Sequence, residues 1–183
     1  MQIPGLGSVT RDDGDLYSEP IRLDVLWGKE CRIVLEGYED DSDKEGFHTA
    51  IQAFRSCGPE VLKAAEPHIF RYHKDIIGHW DPVDDEYIID SPSDVWKHIE
   101  LGHKPIFSRN HFGDRGIYVS LECECDWEPE HGLQIVFRNG NTVCKIGPYD
   151  GHLTNASAHG DPRLENVIYR DYQDLLKSVL DIG

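Results

Sequence analysis

The sequence is poor in the features that would tie it to a membrane, a polyanion or an oxidising compartment. No apolar run approaches the roughly 18 residues that mark a bilayer span, and Met1 to Gly14 lacks the charged-then-apolar pattern of a secretory leader. A cytosolic (cytoplasmic) protein without membrane contact is therefore expected. Basic residues are scarce, 18 lysines and arginines against 34 aspartates and glutamates, for a formal net charge of -16. Such a field repels phosphate backbones and lipid anions, which argues against nucleic acid and favours a basic protein or peptide as partner. A nucleic-acid mimic would share the composition.

The five cysteines, at 31, 57, 123, 125 and 144, are an odd number; without secretion they read as reduced thiols rather than a disulfide framework. Repeats, low-complexity tracts and linker-like stretches are absent, so residues 1–183 read as one domain, long enough to bury roughly two-thirds of the surface of the unfolded chain. Also missing are H-E-x-x-H, G-x-S-x-G, a phosphate-cradling glycine loop and G-x-G-x-x-G after a strand. No cofactor is expected, and catalysis is the weaker expectation.

What is present is a long patterned run from Gly116 to Gly147. Ile117, Val119, Leu121, Cys123, Cys125 and Trp127 alternate with polar or charged residues, the period of a strand with one buried and one wet face. Asn139-Gly140 between two apolar runs predicts a two-residue hairpin. It would pair Arg138 with Asn141, Phe137 with Thr142, Ile135 with Cys144 and Leu133 with Ile146, with Gln134 and Lys145 on the opposite face. Three antiparallel strands in a meander follow, with Cys144 sharing the core face of Cys123 and Cys125 as small apolar filler.

Upstream, Ile3 to Val9 predicts a short strand before a turn at Asp12 to Asp15. A three-residue loop of Gly28, Lys29 and Glu30 would oppose Trp27 to Cys31, Val25 to Ile33 and Leu23 to Leu35. Ser42-Asp43-Lys44-Glu45 has capping-box spacing with Ser42 as cap, followed by Phe47, Ile51 and Phe54 at helical spacing. After Gly58-Pro59 the apolar period continues to Trp80 and is interrupted at Pro67, which predicts a kink or two abutting helices. Tyr87 to Ile89 reads as a short strand, Ser91-Pro92 as the cap of a brief helix ending at Leu101-Gly102, and Pro105 to Arg109 as a strand. The polar segment 148–162 is long for a connection, and Ile168 to Val179 has the spacing of a C-terminal amphipathic helix. The fold class expected is α+β: an antiparallel sheet built from an N-terminal hairpin and a C-terminal-half meander, with helices inserted between.

The meander brings the 128–132 and 148–152 connections to one end of the sheet. Glu128, Glu130, His131, Asp150 and His152 are then candidates for a divalent metal, with His131 and His152 as ligands, or for acid–base chemistry with Glu130 and His131. Glu122, Glu124, Asp126 and Glu128 project from one strand face roughly 7 Å apart at a rise of ~3.3 Å per residue. That row, with Asp150, is the candidate docking surface for a basic partner.

The stretch Cys125-Asp126-Trp127-Glu128-Pro129-Glu130-His131-Gly132-Leu133, with the Asn139-Gly140 hairpin and Gly147-Pro148-Tyr149-Asp150, resembles a bacterial family of domains of unknown function marked by C-x-W-[DE]-x-E-H-G-[LIV]. Ile3-Pro4-Gly5-Leu6-Gly7 and Val95-Trp96-Lys97-His98 extend the likeness over most of the chain. The resemblance implies no activity. In composition the chain is similar to immunity proteins that neutralise toxins, so a non-enzymatic binding module is the first expectation and a metal-dependent enzyme the alternative.

Overall fold

The computed structural model describes residues 1–80 and 84–171. The predicted alternation is strand β9 (Ile117–Cys125), and around it the sheet assembles. β10 (Leu133–Arg138) and β11 (Thr142–Gly147) follow it as an antiparallel meander. On the other side β8 (Ile106–Arg109) is antiparallel to β9 and parallel to β6 (Val34–Leu35). β3 (Asp15–Ser18), β2 (Gly7–Asp12) and β1 (Gln2–Ile3) complete that edge, while β7 (Ile99–Glu100) pairs with the far end of β9. β4 (Ile21–Leu23) and β5 (Lys29–Cys31) form a separate hairpin. Helices α1 (Lys44–Ser56), α2 (Glu60–Lys63), α3 (Glu66–Ile77) and α4 (Asn155–His159) lie between and after the strands. The fold is α+β.

One face of the sheet carries the core. Ile117, Val119, Leu121, Cys123, Cys125 and Trp127 bury against α1 and α3. Phe54 of α1 sits edge-to-face with Phe107 of β8 and Phe137 of β10, at centroid separations of 5.6 and 5.4 Å. The interruption at Pro67 resolves as two abutting helices, with the proline in the first turn of α3, where its missing N–H costs nothing.

Several expectations are corrected. The 139–140 turn does take positive φ at Asn139 and Gly140, but the loop has three residues, opposing Arg138 to Thr142 and Phe137 to Val143. That shift alone would set Lys145 against Ile135. A bulge at Cys144 restores the phase, so Ile146 faces Ile135 and Lys145 faces Val136. Cys144 is thereby turned away from Cys123 and Cys125 and packs with Tyr118 and Val136 on the opposite face.

In the N-terminal half, Ile21 opposes Cys31 and Leu23 opposes Lys29. A 3-10 turn at Asp24–Leu26 buries the consecutive Val25 and Leu26, which strand alternation cannot do, and leaves Trp27 exposed at φ 54. Leu35 pairs instead with Leu16. Asp43 rather than Ser42 caps α1, accepting from the Gly46 amide at 3.0 Å. Asp85–Tyr87 is a 3-10 turn in place of a strand, and Pro92–His98 is a 3-10 helix that hands over to β7 before Leu101. The segment 148–162 holds α4, fixed by a capping box between Thr154 and Ser157. Of the expected C-terminal helix, everything from residue 172 lies outside the described residues. No helix among the described residues is long and apolar enough to cross a membrane.

Candidate functional site

The other face of the sheet changes character halfway along β9. Tyr118 and Ser120 are buried, whereas Glu122, Glu124 and Asp126, which continue the same face, are exposed. The cause is coverage: the chain after β11 crosses the face at the Tyr118 end, where Leu153 packs on Tyr118, Val136 and Cys144. Arg138 ties that cover down, donating to the Tyr118 hydroxyl at 2.8 Å and to the backbone and carboxylate oxygens of Glu165 at 2.9 Å each. Two open clefts flank the transition and meet at Ile106.

The first cleft, of ≈ 1280 Å³, contains the acidic row. Glu100, Glu122, Glu124, Asp126, Glu128 and Glu130 line it, against Lys97 and Lys104. Lys97 is already committed to Asp94 at 2.6 Å, and Asp126 reaches His98 Nδ1 at 3.1 Å. The turn at one end is built by Glu128, whose Oε1 accepts the amides of Glu130 and His131 at 3.2 and 3.3 Å. Trp127 anchors it from below, fully buried against Tyr72, whose hydroxyl donates to the Gly132 carbonyl at 3.0 Å. Gly102 presses the 101–104 segment onto this strand: a Cβ there would lie 1.9 Å from the Glu122 carbonyl oxygen.

Ligand atoms of Glu128, Glu130 and His131 lie within 4.8 Å of one another, the one such cluster among the described residues. His152 is not part of it. The two corners do touch, through a backbone bond from Tyr149 N–H to the His131 carbonyl at 3.1 Å. Their side chains diverge: His131 lines the first cleft and His152 the second.

The second cleft, of ≈ 1120 Å³, lies over the neutral part of the face. Ser108, Ser120 and Gln134 line it, each more than nine-tenths buried. Beneath them is Lys145, 2% exposed, whose ammonium donates to Gln134 Oε1 at 2.6 Å, Asp150 Oδ1 at 2.5 Å and the His152 carbonyl at 3.2 Å. Three donors meet three acceptors, which offsets much of the desolvation cost; burial still pulls the lysine pKa below its ordinary value, against the pull of Asp150. Asp150 therefore fixes the 149–152 loop rather than presenting a free charge. Arg109 closes the opposite wall by forking onto Asp41, with a further bond to Asp43 at 3.2 Å. That guanidinium holds the Asp41 carboxyl below the usual range.

Sequence patterning found the acidic row and the 128–131 corner, and missed Ser108, Ser120, Gln134, Lys145 and Tyr149. One signal was available: the wet positions of β9 run Tyr118, Ser120, then Glu122, Glu124, and uncharged residues on a solvated face mark coverage.

Residues 5–153 match the model of a family described as domain of unknown function (DUF6985). No curated protein and no solved structure matches the chain.

Proposed function

The chain belongs to that family, whose description names no activity, and we propose from the site itself that the protein is a non-enzymatic module whose acidic cleft engages a basic protein partner, as an immunity-type inhibitor would. One observation carries the reading: six carboxylates line one cleft with two lysines, one of them already paired. Like charges along a strand repel, and a cationic segment seated between them relieves that repulsion where water is partly excluded, so attraction is stronger than on an open surface. The buried thiols Cys123, Cys125 and Cys144 are pushed up to about 12 by burial, which makes them poor nucleophiles.

The test is titration with a lysine- and arginine-rich peptide at rising ionic strength. Binding is expected at low salt, weakening as the Debye length shrinks, and it should be lost in Glu124→Gln/Asp126→Asn/Glu130→Gln. Equal binding by that variant overturns the reading.

The Glu128, Glu130 and His131 cluster favours a second reading, a divalent cation held at the turn and used in metal-dependent catalysis, with Glu130 as base. Calorimetric titration with zinc or manganese should then show one site that His131→Ala removes; no heat of binding retires it.

A further inference from the structure

The second cleft holds polar groups whose capacity the protein itself does not use. The Ser108 hydroxyl, on a residue 9% exposed, has no hydrogen-bond partner among the described residues and lines the cleft. Beside it runs a polarised chain: Lys145 donates to the carbonyl oxygen of Gln134, whose amide donates to Ser120 Oγ at 2.8 Å. A hydroxyl that accepts at the end of a chain begun by an ammonium is a strengthened donor, and the proton of Ser120 has no acceptor among the described residues. The floor therefore offers two donors in search of an acceptor.

The rim offers the opposite. Tyr149 lines the cleft 37% exposed. Burial raises its pKa, and the charges of Glu122, Glu36 and Asp150 raise it further. Asp150 is answered by Lys145. Glu36, in the cleft wall, and Glu122, at the head of the acidic row, make no ion pair among the described residues. An aromatic ring sharing a cleft with the uncommitted carboxylate of Glu36, with Glu122 lining the adjoining cleft, suits a cation that can lie flat and fork, which is arginine rather than lysine.

We propose that this cleft takes one arginine of the basic partner, its guanidinium over Tyr149 and paired with Glu36, and a backbone carbonyl of the same segment on the hydroxyls of Ser108 and Ser120. The inference rests on the binding-module reading and names the residue that anchors it. The rest of the partner segment then runs past Ile106, the residue common to both clefts, onto Glu124 and Asp126.

The test uses the whole protein and a capped Gly-Arg-Gly peptide, followed by amide chemical shifts. Saturable shifts are expected at Ser108, Ser120 and Tyr149. Replacing the arginine by neutral citrulline should weaken binding at least about tenfold, and Ser120→Ala or Tyr149→Leu by roughly five- to tenfold, the loss of one hydrogen bond or one cation–π contact. Tyr149→Leu changes only a rim residue, so it keeps the test valid if Ser120→Ala fails to fold. Shifts confined to Glu124, Asp126 and Glu130, with both variants binding as the wild type, overturn the arginine site and leave the acidic-cleft reading standing. Shifts insensitive to citrulline overturn the site as well. If neither this peptide nor a longer arginine-rich one binds, both fall together.

Discussion

The two faces of the central sheet are made by the same strands and follow different physics. On the first, Phe54, Phe107, Phe137 and Trp127 are fully buried among aliphatic neighbours, and energy comes from area removed from water and from close packing. On the second, Ser108, Ser120, Gln134 and Lys145 are nearly as buried but polar, and each must be answered by a partner or cost free energy. The first face makes the molecule fold. The second has cover at one end, donors in the middle and open carboxylates at the other end, a gradient that stability alone does not require. The largest test of this contrast is Phe54→Ala, which removes a ring held edge-to-face by two others and should cost about 3–5 kcal/mol in denaturant unfolding. A loss below about 1 kcal/mol would mean that the first face is not the core.

Lys145→Met is the matching change on the second face. It deletes three hydrogen bonds and strands Gln134 Oε1 and the His152 carbonyl. Asp150 is partly solvated, so its share is discounted, and about 2 kcal/mol of destabilisation is expected. The 149–153 loop should also loosen, read as faster amide exchange at His152, whose N–H is held by Asp150 at 2.9 Å. A neutral or stabilising effect would show that the second face gains as much from apolar filling as the first.

The difference between the faces also explains what the sequence disclosed. Alternation along β9 and the apolar spacing of α1 and α3 announce a half-buried strand and two helices because burial on one side writes a period into the chain. The pairing of β6 with β8 left no such mark, being parallel, two residues long and separated by the α1–α3 insertion. The bulge at Cys144 escaped because a two-residue turn satisfied the apolar pattern equally well, and nothing in that pattern marks the three-residue loop, which Asn141 N–H closes onto the Arg138 carbonyl at 3.2 Å. Glu128 to His131 and Tyr149 to His152 were correctly brought to adjoining corners, yet spacing says nothing of which way a side chain leaves its turn. So His131 and His152 entered different clefts.

Acid should weaken the first face more than the second. His73 of α3 is completely buried, stacks on Phe70, meets Trp127 edge-on and donates from Nε2 to the Tyr87 carbonyl at 2.7 Å. Burial lowers its pKa from an ordinary 6.5, with Lys74 and His98 adding to the fall. The folded chain therefore keeps His73 neutral where the unfolded chain takes up a proton. Stability is complete above the unfolded value near 6.5 and declines as pH falls below it, by at most about 1.4 kcal/mol per pH unit from this residue. His68 and His159, also lowered by burial, act with the same sign. His73→Gln should flatten the slope between pH 7 and about 5; an unchanged slope would assign it to other groups.

The smallest expected effect on stability separates the faces most cleanly. Glu124 is exposed on a strand between Glu122 and Asp126, and neighbours of like charge on one face repel. Glu124→Gln removes that repulsion and breaks no side-chain hydrogen bond among the described residues, so unfolding free energy should stay within about 0.5 kcal/mol of wild type or rise slightly. Binding of a lysine- and arginine-rich peptide should fall at low salt and converge with wild type at high salt, where the charge is screened. A residue that the fold tolerates losing but the peptide does not is one kept for contact with something else. Were Glu124→Gln to destabilise the protein by as much as Lys145→Met, the open end of the second face would be part of the scaffold, and the contrast between the two ends of β9 would be one of solvent exposure alone.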